Sequence, residues 1–148
     1  MKNGTTQDRP VVMTKMRLAY FGIVPSTPFM YQFDRPEDDA IGRAELVAVR
    51  EASHRYPPER LAGATLYSSA EPCAMYACAI YWSGISRVVY ALSEERLLSL
   101  TGNHPENPTL SLPCREVFAR GQRAVVVVGP MLEDEAMVTH KNFWRSLE

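Results

Sequence analysis

Short β-branched apolar runs alternate along this chain with longer stretches whose apolar residues recur three and four apart. The runs at residues 64–69 (ATLYSS), 87–92 (RVVYAL) and 124–128 (AVVVV) predict strands. Between and around them the spacing predicts helices. In residues 41–54 the positions Ile41, Ala44, Leu46, Val47, Ala48 and Ala52 suit a helix, which stops before Pro57-Pro58. Residues 73–83 are apolar nearly all round, which suits a buried helix, and Gly84 ends it. Ser93-Glu94-Glu95 opens a short helix to residue 100. A further helix spans 111–120, with Pro113 near its start and Gly121 just past its end, and residues 132–147 form a last amphipathic one. Nearer the N-terminus, Val12, Met13, Met16, Leu18, Ala19 and Ile23 predict a helix over 11–24, although Tyr20-Phe21-Gly22 also suits a strand. Residues 29–33 read as a short strand, 34–39 as an acidic loop and 101–110 as a surface loop.

Buried strands alternating with helices make an α/β fold, largely parallel in its second half. At 148 residues there is room for one domain, here 11–148, after a polar lead at 1–10 that is expected to be disordered. Apolar residues at 46% can build a core. Sixteen Lys+Arg against seventeen Asp+Glu give a net charge of −1, which offers no chain-wide attraction for nucleic acid or an anionic bilayer. The apolar runs are too short to span a membrane, and MKNGTTQDRP is not a signal peptide. Three cysteines without a disulfide framework point to a reducing compartment. The expectation is a cytoplasmic protein whose partner is a small molecule, not nucleic acid or membrane.

The chemistry concentrates in Glu71-Pro72-Cys73-Ala74-Met75-Tyr76-Ala77-Cys78-Ala79-Ile80-Tyr81-Trp82, preceded by Arg43-Ala44-Glu45. A strand leads straight into a Pro-Cys that opens a buried helix, and an earlier helix begins with a charged pair. This arrangement resembles the zinc-dependent nucleoside and nucleobase deaminases, including guanine and tRNA adenosine deaminases. Their signature is His-x-Glu followed by Pro-Cys-x-x-Cys. The resemblance runs over 41–130, helped by Ala79-Ile80-Tyr81-Trp82 and the loop Pro105-Glu106-Asn107-Pro108-Thr109-Leu110. It implies a cytidine-deaminase-like three-layer α/β/α sandwich with a mixed sheet, and a homodimer. It further implies that Glu45 stands at the proton-shuttling position, and Arg43, Cys73 and Tyr76 at the metal-ligand positions.

Two of those three residues cannot serve a metal. A guanidinium does not lose its proton in a protein, so Arg43 offers no lone pair, and Tyr76 is a poor zinc ligand beside thiolate or imidazole. Cys78 does not substitute: at about 100° per residue it lies roughly 140° around the helix from Cys73, against about 60° for position 76. His54, His104 and His140 stand at a helix end, in a loop and on the last helix. The expectation is therefore no metal and no cofactor. Upstream, the family's second strand and substrate-binding Asn have no evident counterpart between Pro28-Phe29 and Arg43, which predicts a shortened N-terminal hairpin.

Each candidate carries a structural alternative. Glu45 is either a catalytic acid–base or a carboxylate stabilised by the helix dipole. Cys73 is either a nucleophile activated at a helix N-terminus or an inert buried thiol. Tyr76 is a catalytic polar contact or a filler of the space a metal would take. Arg43 is a substrate clamp or a salt-bridge partner for nearby acids. Trp144 near the C-terminus is a substrate-binding lid residue or packs on the core, where Cys78 and Cys114 are also expected. The leading expectation is a metal-independent enzyme on a deaminase scaffold. It would act on a small molecule by acid–base chemistry through Glu45, in a biosynthetic pathway. The rivals are an inactive binding or dimerisation module and a zinc deaminase with improvised ligands.

Overall fold

A computed structural model describes residues 18–23, 26–32, 44–102 and 109–145 of the chain. Eleven elements follow in order among these residues: β1 (Leu18–Ile23), β2 (Ser26–Gln32), α1 (Ala44–Arg55), α2 (Pro58–Leu61), β3 (Ala64–Ala70), α3 (Ala74–Ser83), β4 (Arg87–Leu92), α4 (Glu94–Thr101), α5 (Cys114–Ala119), β5 (Val126–Val128) and α6 (Glu133–Arg145). The five strands form one sheet in the order β2-β1-β3-β4-β5. β1 runs antiparallel to both β2 and β3, whereas β3, β4 and β5 are parallel, so the sheet is mixed.

Helices cover both faces. On one, α1, α3 and α5 bury Ala48, Ala77, Ile80 and Phe118 against Leu66, Val88 and Tyr90. On the other, α4 and α6 bury Leu97, Ala136 and Met137 with Leu92. The expected three layers are present. α3 is the central helix of its layer. It buries Tyr76, Ala77 and Ile80 and stops at Gly84, whose φ of 93° is a left-handed conformation that glycine adopts without a Cβ penalty. Ile80 is fully buried, so cutting it to alanine costs about 2–5 kcal/mol.

Two expectations near the N-terminus are corrected. Leu18–Ile23 is a strand, not part of a helix: its backbone is claimed on one side by β2 and on the other by β3. A helix-like spacing over six residues does not outweigh hydrogen bonding on both edges of an interior strand. The N-terminal hairpin also has both its strands. Residues 29–33, read as its first strand, fall largely within the second one, Ser26–Gln32, and the strand that looked deleted lies before them. The expected lead at 1–10, all of the acidic loop at 34–39 and the greater part of the 101–110 loop lie outside the described residues. Among the described residues, no helix is long and apolar enough to cross a membrane.

Candidate functional site

The carboxyl end of β3 is where the predicted residues converge. β3 turns its alternate residues Ala64, Leu66 and Ser68 inward, and the first turn of α1 meets the strand at Ser68. That places Glu45, the second residue of α1, against the strand. Its side chain is buried, and Ser68 Oγ donates a hydrogen bond to Glu45 Oε1 at 3.1 Å. The first turn of a helix carries partial positive charge, which favours a carboxylate there.

β3 then runs through Glu71 and Pro72 into α3. Cys73 is the N-cap residue of α3, with extended backbone and a half-buried side chain that makes no cap hydrogen bond. Tyr76 lies one turn further, 2% exposed, on the face of α3 turned to the core. Cys78, expected in the core, is instead exposed, on the side of the helix turned away from Tyr76. α1 and α3 pack side by side, and Glu45, through Ser68, and Cys73, at the start of α3, both stand near the carboxyl end of β3.

Other predicted residues are not brought together there. Arg43 lies outside the described residues. Trp144 belongs to α6, on the sheet face away from α1 and α3, and its side chain lies outside the described residues. Of the histidines, His54 ends α1 exposed and His140 is buried on α6, while His104 lies outside the described residues. Cys114 is fully buried, and burial first, then the neighbouring Glu71 carboxylate, push its thiol up to about 12. It stays a protonated core thiol.

The residue that sequence reasoning passed over is Glu71. Its carboxylate is buried and serves two helices at once. Oε1 accepts from the Cys114 amide at 2.9 Å and Oε2 from the Glu94 amide at 3.1 Å, the first residues of α5 and α4. Its own amide donates to the Leu92 carbonyl at 2.7 Å. Glu71 thus answers orphan N–H groups of two helix starts and pins the β3–α3 corner to the end of β4. The only hint in sequence was the pair of helix starts, at 93 and near 113, without an evident acceptor for each.

The donor chemistry at the corner does not suit zinc. Structural and catalytic zinc sites take three or four thiolate, imidazole or carboxylate ligands. Among the described residues no three His, Cys, Asp or Glu side chains are placed to hold a metal ion. Position 76 offers a phenol, and the guanidinium of Arg43 lacks a lone pair wherever it lies.

Comparison with known proteins agrees on the scaffold. The sequence profile of the cytidine and deoxycytidylate deaminase zinc-binding region matches residues 29–92. A probable cytosine deaminase of Schizosaccharomyces pombe is 48% identical over 80 residues, which cover 54% of this chain and 49% of that protein. A tRNA-specific adenosine deaminase of Agrobacterium fabrum is 37% identical over 62 residues, covering 42% of this chain and 41% of the other. The match thus spans about half or less of the length of these curated relatives. Among solved structures, guanine deaminase from Nitrosomonas europaea superposes with a TM-score of 0.65 at 22% identity, over 86% of this chain and 72% of that one. That likeness establishes a cytidine-deaminase-like fold.

Proposed function

From the match to the deaminase zinc-binding region and the shared fold, we propose that this is a deaminase-superfamily chain and an acid–base enzyme for a small nitrogen heterocycle that works without a metal ion. The observation that carries this reading is the buried Glu45 carboxylate, held by Ser68 at the carboxyl end of β3. A buried carboxylate is costly unless hydrogen-bonded, and one placed beside a site is suited to hold and release a proton.

The neighbours define the rest of the reading. Without a set of zinc ligands, the corner has no means of generating hydroxide at neutral pH, which is what a metal supplies to hydrolytic deamination. Proton transfer on a bound substrate remains: Glu45 takes a proton from one substrate atom and returns it to another. Tyr76 and Cys73 supply polar contacts, and Arg43 a fork of donors for a carbonyl or carboxylate. The relatives are named for cytosine, adenosine and guanine, so nucleobase-like heterocycles are the substrate class to try first. A role in biosynthesis fits a scaffold turned from hydrolysis to proton transfer.

The test is a panel of purines, pyrimidines and related lactams, screened for binding by thermal shift and for conversion by mass spectrometry. The Glu45→Gln variant is expected to keep binding and lose about 10²–10⁴-fold of turnover, the usual contribution of a positioned acid–base. Unchanged turnover in that variant contradicts the mechanism. Binding without conversion by the unmodified protein would make it a binding module.

A further inference from the structure

β5 stands at an edge of the sheet, and among the described residues no strand pairs with its outer side. Its sequence makes that edge a hazard. Residues 124–128 are Ala-Val-Val-Val-Val, an uncharged run of the kind that adds strands from other molecules and seeds cross-β stacking. Val126, the first residue of β5, is 54% exposed and puts no charge on the edge.

The register fixes which backbone groups face out. The Val126 amide donates to the Ser86 carbonyl at 2.8 Å, so Val126 and Val128 turn their main-chain groups toward β4. Val127, between them, turns its own to the open side. The carbonyls on that side are already taken. Arg115 reaches there from α5: its Nη1 donates to the Val127 carbonyl at 2.9 Å and its Nη2 to the Gly129 carbonyl at 2.6 Å. Gly129 has a φ of 153°, and a Cβ there would come within 2.8 Å of the Tyr90 carbonyl oxygen. Glycine alone presents this second acceptor without strain.

An exposed arginine ordinarily points to water or to a carboxylate. Among the described residues Arg115 forms an ion pair with no acid, and its planar fork is spent instead on two neighbouring main-chain acceptors. Those acceptors are the ones an incoming strand would need, and the guanidinium also brings a positive charge to the edge. We propose that Arg115 is a latch on the β5 edge. It is an inhibitory contact within the chain that keeps the 124–128 segment from pairing with an extended strand of another molecule. The latch is separate from the chemistry at Glu45 and stands or falls without it.

Fibrillar assembly of the folded full chain tests it, followed by light scattering and thioflavin T fluorescence well below the melting temperature. Arg115 is exposed, so Arg115→Ala should keep its fold, checked by circular dichroism. That variant is expected to form thioflavin-positive assemblies at least about tenfold faster than the unmodified protein, as an unguarded β-branched edge does. Adding Val126→Lys, at an exposed position on the same strand, should return the rate to that of the unmodified protein, because a charge on an edge strand opposes pairing. Hydrogen exchange on the assemblies should show protection gained at the Val127 amide. To separate the edge from unfolding, the unmodified protein is brought by urea to the stability of Arg115→Ala. With its latch closed it should lag behind the variant. Equal rates in that comparison would overturn the proposal. So would an Arg115→Ala protein that assembles no faster than the unmodified one, or that keeps its rate when Val126→Lys is added.

Discussion

Ser68 and Glu45, 23 residues apart in sequence, share a hydrogen bond of 3.1 Å between two buried side chains, and this contact ties the start of α1 to the end of β3. Removing the hydroxyl weakens the support of a buried carboxylate without removing its charge. Ser68→Ala should therefore cost about 1–3 kcal/mol of stability in urea denaturation. Glu45→Gln keeps an oxygen that can accept from Ser68, so it should cost less. A double-mutant cycle between the two positions should show coupling of at least about 0.5 kcal/mol. Additive effects would mean that the contact does no work in the fold.

Glu71 accepts from two amides with two oxygens, and glutamine has only one. Glu71→Gln should thus leave one helix start unanswered, at a cost of about 1–3 kcal/mol. Amide hydrogen exchange reads out which. The amide of Glu94 or of Cys114 should lose protection, with the other largely retained. Equal protection of both in the variant would refute the bridging role.

Cys114 should be silent to thiol reagents in the native state, because it is fully buried and its thiol is pushed up to about 12. Peptide mapping after alkylation should find it unmodified until denaturant is added. Modification at a rate matching Cys78 under native conditions would contradict its placement in the core.

Burial holds the His140 imidazole below its ordinary value, and its Nδ1 has no hydrogen-bond partner among the described residues. The unfolded chain binds that proton more readily than the folded one, so stability falls as the pH drops below about 6.5. Glu133 contributes separately. The Ser93 hydroxyl and amide first, and Arg96 after them, hold its carboxyl below the usual range. Its share is present above the ordinary carboxylate pKa and is lost at more acid pH still. Melting temperatures of the unmodified protein should decline from about pH 7 to about pH 5. His140→Leu should flatten that slope and leave the more acidic one. An equal slope in both proteins would remove His140 as its source.

Where the sequence carried dense local signals, the fold could be read from it. The strands near 64–69 and 87–92, the buried helix stopped by Gly84 and the alternation that makes an α/β fold follow from runs, periods and stops that lie within a dozen residues, whereas the three layers came only with the family resemblance. β1 did not follow, because what makes Leu18–Ile23 a strand is pairing with β3 some forty residues later. Its own residues suit either state. The site divided in the same way. The Glu45 and Cys73 corner was visible as a motif. The partners that fix it were not, because Ser68 lies 23 residues from Glu45 and the amides that Glu71 accepts lie 23 and 43 residues away. Long-range hydrogen bonds of this kind leave no periodic trace.

The most direct test of metal-independent chemistry at Glu45 is the zinc content of the protein, purified from zinc-replete culture and dialysed against a mild chelator. The account predicts far less than one zinc per chain, because Tyr76 and Arg43 supply no adequate donors beside Cys73. Near-stoichiometric zinc that resists the chelator would contradict it, and ammonia release from nucleobases would then be the activity to measure.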